Sequence, residues 1–167
     1  MPSFSVEREY GCNCGPSKSI GSKICKTAEN WLKSLFPNEI IEELSFADNF
    51  GSRNLTLAEL RDFYWTHENL TERYFDDPTI NKEDLKQIDR DINRTFPHSS
   101  YFYAYESKVK HRGLKTMHDV LTMFVKFDSI EQRCGYVQGM NFIAGEFCYH
   151  ASAEYSFCMF IKMMQKY

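Results

Sequence analysis

Apolar residues in this chain return every three or four positions and almost nowhere alternate. The clearest run is Leu114, Met117, Val120, Leu121, Phe124 and Val125. Such spacing lines one side of an α-helix, with its period of 3.6, and scatters over both faces of a strand, with its period of two. Leu57, Leu60, Phe63 and Tyr64 repeat it behind Thr56 and Glu59, a pair suited to a capping box. Asn81 is placed to cap a helix whose apolar face is Leu85, Ile88 and Ile92. Pro97 disfavours helical backbone at Phe96, so that helix is predicted to end near Thr95. Ile40, Ile41 and Leu44 suggest a short helix, and another is predicted from near Tyr136 to Tyr149. A last helix, capped by Ser152, would carry Tyr155, Phe160, Ile161 and Met164. No segment shows strand alternation bounded by hairpin turns. The expected fold class is all-α, a single irregular multi-helix domain. The last helix stays amphipathic to Tyr167, so further helices are expected to cover it, and the chain reads as part of a larger domain.

Several function classes fall away on composition. With 167 residues, 43% of them hydrophobic, the chain can bury a core and is not a disordered tail. A net charge of -3, with both signs interspersed, leaves no basic footprint for nucleic acid. No apolar run approaches the roughly 18 residues that span a bilayer, and the N-terminus has no signal-like apolar core. Neither end carries a lipidation motif. The expectation is a cytosolic chain with no direct membrane insertion.

Residues 1–28 are rich in Gly, Ser, Cys and Lys without period, and read as a flexible lead-in to a domain over 29–167. The stretch GCNCGPSKSIGSK invites a phosphate-loop reading but fails on register. Gly15 is followed by Pro16 and Ser17 before Lys18, and no apolar strand precedes it. The six cysteines are expected as reduced thiols. Cys12 and Cys14 form a CxC pair with Cys25 beyond, but no CxxC pair or histidine spacing completes a zinc site, so no metal is expected. Cys148 and Cys158 read as small buried hydrophobes.

Two stretches can carry chemistry. In QIDRDINRTFP, Ile88, Asp91 and Arg94 are three apart and share one broad helix face. Ile88 can anchor in the core, Asp91 can hold Arg94, and Arg94 falls in the last turn, where its long side chain can leave the helix end. A last-turn cation complementing the helix dipole explains Arg94 equally well. In CGYVQGMNF, Tyr136 and Gln138 lie between Gly135 and Gly139. The glycines permit a sharp turn, and a glutamine amide both donates and accepts. A plain turn into a helix, with Gln138 as a cap, is the simpler account.

Together the stretches resemble the TBC domain, a family of activators of Rab GTPases. Its first motif, I-x-x-D-x-x-R, is matched by Ile88, Asp91 and Arg94, and extended by Thr95 and Pro97. Its second, Y-x-Q-G-M-N, is matched by Tyr136, Gln138, Gly139, Met140 and Asn141. Glu154 and Phe157 fit the pattern further on, whereas Cys158 stands where the family favours tryptophan. The resemblance covers about residues 55–167 and implies the N-terminal half of a TBC-type helical fold. It implies that Arg94 is an arginine finger and Gln138 a glutamine finger, given in trans to a Rab-family GTPase. Ile88, Asp91, Tyr136 and Gly139 would support them. The resemblance implies no cofactor of the chain's own, since GTP and Mg²⁺ belong to the partner, and implies recruitment to endomembranes through a lipidated Rab. A non-catalytic GTPase-binding or scaffolding module, and a helical interaction domain unrelated to GTPases, are the alternatives.

Overall fold

The chain's computed structural model describes residues 8–37, 55–68, 76–102, 112–131 and 135–166. Within them lie six helices: α1 (Lys26–Leu35), α2 (Leu57–His67), α3 (Lys82–Ile92), α4 (Arg112–Glu131), α5 (Met140–His150) and α6 (Ala153–Lys166). The fold is mostly α-helical, as the apolar periodicity requires. The expected helix at Ile40, Ile41 and Leu44 lies outside the described residues.

The long stripe becomes α4, the centre of the domain. Met117, Val120, Leu121, Met123, Phe124, Val125 and Phe127 are all buried. A helix buried on most of its circumference needs neighbours around it, and α3, α5 and α6 all pack against α4. Helix α2 closes over α6. Its start is the expected capping box, with Glu59 N donating to the Thr56 hydroxyl and Thr56 N to the Glu59 carboxylate. Asn81 caps α3 by accepting from Glu83 N at 3.0 Å.

Three expectations are corrected. The apolar face of α6 is not bare, because Tyr155, Phe160 and Ile161 are buried by the helices already described, and only Met164 is half-exposed. Phe157 meets the rings of Phe63 and Phe127, and Phe160 meets Phe124. At the α6 N-terminus the buried Ser152 hydroxyl makes no hydrogen bond among the described residues and does not cap. Third, the segment read as a lead-in is structured from residue 8 onward. Pro16–Ser17 (β1) and Gly21–Cys25 (β2) form an antiparallel pair. Tyr149 O accepts from Gly11 N and Cys12 N, Lys23 O accepts from Ser152 N, and Ile24 bridges Ala151. Tyr10, Cys12, Ile24 and Cys25 join the core. Burial of large apolar side chains such as Ile24 is worth roughly 1.5–3 kcal/mol each, enough to hold a short hairpin that local propensity does not favour.

Three partners meet on one acid at the start of α6. Glu154, at the start of α6, is buried and pairs with Arg61 of α2. It also accepts from Trp65 Nε1 at 2.9 Å and Lys23 Nζ at 3.4 Å. A buried carboxylate is tolerable only with such partners, and this one joins β2, α2 and α6.

Candidate functional site

Helix α3 turns Ile88 and Asp91 fully inward. Its regular turns stop at Ile92, three residues before the expected end, and Asn93 is the C-cap. Arg94 therefore stands in the turn just past the helix. Arg94 N bonds back to Asp91 O, and Thr95 N to Ile92 O, tightening that turn. Phe96 has φ 47°, a left-handed backbone uncommon for a side-chain-bearing residue and consistent with the following Pro97 disfavouring the right-handed helix. The Phe96 ring lies over Gly145 of α5, where an added Cβ would sit 2.8 Å from it.

Asp91 is the hub of the site. Its Oδ1 accepts from Arg94 Nη2 at 2.5 Å and Gln87 Nε2 at 2.9 Å, and its Oδ2 accepts from the Tyr136 hydroxyl at 2.8 Å. Burial alone would raise this carboxyl's pKa, but the bonds from Arg94, Tyr136 and Gln87 outweigh it and hold the pKa below the ordinary value. Burial, then the adjoining Asp91 carboxylate, pushes the Tyr136 phenol upward, so it stays protonated and remains a donor. The Arg94 side chain is 59% exposed beyond this anchor. Nη2 is its one guanidinium nitrogen bonded among the described residues, which leaves most of a planar donor fork facing outward.

The second motif is a turn held from both sides. Gly135 N donates to Asp128 of α4 at 2.6 Å, and Tyr136 N to Asp84 of α3 at 3.3 Å. Gly135 has φ 73°, a left-handed backbone that favours glycine, and a Cβ there would also displace Asp84 Oδ2, 2.6 Å away. Gly139, with φ 105°, caps α5 in the left-handed region. Helix α5 thus begins at Met140, later than the expected start near Tyr136. Buried Asn141 closes the circuit. Its Oδ1 accepts from Gly139 N, its Nδ2 donates to the Thr95 hydroxyl at 2.7 Å, and that hydroxyl donates to Asp91 O.

Asp91, Arg94, Tyr136 and Gly139 are therefore parts of one network spanning both sequence stretches, and Ile88 is buried one turn before Asp91 on α3. Gln138 lies in its exposed turn, and its amide makes no hydrogen bond among the described residues. Asn141 and Thr95, the buried links of the circuit, appeared in the sequence only as motif letters. The surface around them is apolar. Val137 is 51% exposed, Phe142 49% and Ile143 37%. Arg94, Phe96, Pro97 and Phe142 line a groove of about 650 Å³. A second groove of about 620 Å³ lies along Trp31, Leu35, Phe142, Ile143 and Met163. Large apolar side chains clustered in the open mark a surface for a macromolecular partner.

A family model, the Rab-GTPase-TBC domain, matches residues 58–167. The chain belongs to this family. The matched span takes in α3 to α6 and both motif stretches, and leaves the hairpin and α1 outside. Among curated relatives, the ecotropic viral integration site 5 protein homolog of Homo sapiens is 33% identical over 82 residues, 49% of this chain and 9% of that protein. The Rab GTPase-activating protein tbc-11 of Caenorhabditis elegans is 31% identical over 80 residues, 48% of this chain and 8% of that protein. The GTPase-activating protein GYP3 of Saccharomyces cerevisiae is 32% identical over 85 residues, 51% of this chain and 13% of that protein. The similarity thus spans about a tenth of the length of each relative. No solved structure matches the chain significantly. Among the described residues of this TBC domain, no helix is long and apolar enough to cross a membrane.

Proposed function

We propose that this TBC domain is a GTPase-activating module for a Rab-family GTPase, with Arg94 as arginine finger and Gln138 as glutamine finger. The observation that carries the reading is the Asp91 carboxylate, shared between Arg94 of one motif and Tyr136 of the other. One buried acid couples the Arg94 guanidinium, through Nη2, to the turn that bears the glutamine, while the rest of the arginine fork and the Gln138 side chain stay exposed. A small GTPase is slow because charge developing on the transferred phosphoryl group is poorly stabilised and the attacking water is poorly held. The Arg94 fork would take the phosphate charge, and the Gln138 amide would orient the water without removing its proton. Such a contribution is worth about 10³–10⁵ in rate, or about 4–7 kcal/mol. The module would need no cofactor of its own, since GTP and Mg²⁺ come with the partner. It would reach endomembranes through that partner's lipid. Val137, Phe142 and Ile143 would supply apolar contact around the fingers.

The test is capture of Rab·GDP with aluminium fluoride, which imitates the phosphoryl group in flight. The wild-type chain should form this complex with at least one Rab of a panel. Arg94→Ala should lose it while keeping its circular dichroism. Complex formation unchanged in Arg94→Ala would exclude Arg94 as the finger.

A further inference from the structure

Three thiols of the N-terminal segment meet at the root of the hairpin, beside a histidine far along the chain. The Sγ atoms of Cys12, Cys14 and Cys25 all lie within 4.8 Å of one another. His150, the last residue of α5, places Nδ1 3.2 Å from Cys25 Sγ. We propose that Cys12, Cys14, Cys25 and His150 form a structural Zn²⁺ site, which staples the hairpin and the start of α1 to the end of α5.

Chemistry and geometry agree on the ion. Three soft sulfurs and one imidazole form the Cys₃His set of closed tetrahedral zinc sites. With Zn–S near 2.3 Å and Zn–N near 2.0–2.1 Å, a tetrahedron separates two sulfurs by about 3.8 Å and a sulfur from a nitrogen by about 3.5 Å. The observed spread of up to 4.8 Å and the 3.2 Å contact lie on either side of those values. Drawing the three sulfurs onto one ion needs a shift of up to about 1 Å, and the His150 ring, already against Cys25, must close on the other two. Cys14 is exposed and offers the ion an entry, while Cys12 and Cys25 are buried.

The surroundings orient these atoms as zinc ligands are oriented. His150 Nε2 lies 3.3 Å from Glu146 Oε1. A proton held there by the carboxylate leaves the Nδ1 lone pair facing the sulfurs, the carboxylate–histidine–metal arrangement that fixes a ligand's tautomer. Trp31 packs edge-on to the imidazole at 4.8 Å and Tyr149 at 5.1 Å, fixing its plane. The sulfurs also receive donors: Cys12 Sγ from Cys14 N at 3.4 Å and Cys25 Sγ from Ala28 N at 3.5 Å. Cys14 Sγ lies 3.4 Å from the Thr27 hydroxyl. Binding would release the thiol protons to solvent, leaving thiolates on the metal. The family match begins at residue 58, so the three cysteines lie outside the matched span. The tie to His150 joins that segment to α5, which lies inside the match.

The 167-residue chain, purified under reducing conditions, should bind one Zn²⁺ by native mass spectrometry. With Co²⁺ it should show tetrahedral visible bands and thiolate charge-transfer absorption. Cys14→Ser removes an exposed ligand without disturbing the core. It should weaken binding by at least about 100-fold, and Glu146→Gln by about 10-fold. Cys148→Ala, outside the cluster, should leave binding unchanged. Chelation should lower the melting temperature of the wild type and leave that of Cys14→Ser where it is. The proposal is overturned by a chain that holds no stoichiometric metal. It is equally overturned by metal retained in a folded Cys14→Ser variant, or by a mass two hydrogens lighter without metal, which would mean a disulfide.

Discussion

Tyr136→Phe isolates the contact that joins the two halves of the site. The substitution keeps the ring and its packing and removes one hydroxyl, which donates to Asp91 Oδ2 at 2.8 Å. Asp91 is fully buried and Tyr136 nearly so, so water does not readily replace the lost donor. A hydrogen bond to a charged group is worth about 1.5–3 kcal/mol, and leaving one buried carboxylate oxygen unsatisfied puts the cost toward the upper end. For a domain of this size each kcal/mol moves the melting temperature by about 2–4 °C, so a fall of about 3–12 °C is expected. Urea unfolding should show a lower midpoint at unchanged slope. A double-mutant cycle with Asp91→Asn should return a coupling of at least about 1 kcal/mol. If activity depends on this bond, GTP hydrolysis stimulated by Tyr136→Phe should fall by about 10²-fold, because displacement of about 1 Å at a reacting centre costs that much. Full stability in Tyr136→Phe, or additive effects in the cycle, would refute the idea that Asp91 couples the two motifs.

Further outcomes follow from the same contacts. Arg94→Lys should lose nearly as much stimulated hydrolysis as Arg94→Ala, about 10³-fold or more, since lysine keeps the charge but not the fork; near-wild-type rates in single turnover would show that a point charge suffices. Gly145→Ala would press a methyl group to 2.8 Å from the Phe96 ring and should cost about 1–3 kcal/mol in chemical denaturation, with no loss meaning that the Phe96 turn moves freely. The folded-state pKa of Asp91 is depressed, so its bonds stabilise the fold above the ordinary carboxylate pKa of about 3.9 and that stability drains away as pH falls through the lower folded value. The difference in unfolding free energy between wild type and Asp91→Asn should accordingly be constant from neutral pH to about pH 5 and shrink below pH 4; a difference independent of pH would mean that Asp91 is not the ionised hub.

Where the structure followed the sequence, a local rule was at work. The α4 stripe, the Thr56–Glu59 box and the Asn81 cap each depend on residues within one helix turn. The departures come from tertiary contacts that no local pattern displays. The hairpin has only two residues in its first strand and an irregular register, and it is held by Tyr149, Ala151 and Ser152, far along the chain. His150 as a neighbour of Cys25 was invisible for the same reason, with 125 positions between them. The apolar face of α6 looked bare because its cover, the side chains of α2 and α4, is non-local. Boundaries slipped at Ile92 and Met140 because Phe96 and Gly139 adopt left-handed backbone there. At the site itself the motif letters marked Arg94, Gln138, Asp91 and Tyr136. That one carboxylate oxygen serves the arginine and the other the tyrosine is a fact of three dimensions.

The central claim is that Arg94 and Gln138 act together on a partner's GTP. Single-turnover hydrolysis by a panel of GTP-loaded Rab proteins tests it most directly, measured with wild type, Arg94→Ala, Gln138→Ala and the double variant. The account predicts acceleration of at least one Rab by wild type. Each single variant should lose about 10²-fold or more, and the double variant little more than either, because residues that act as a unit are not additive. Hydrolysis unchanged by wild type across the panel, or acceleration that survives in the double variant, would contradict it.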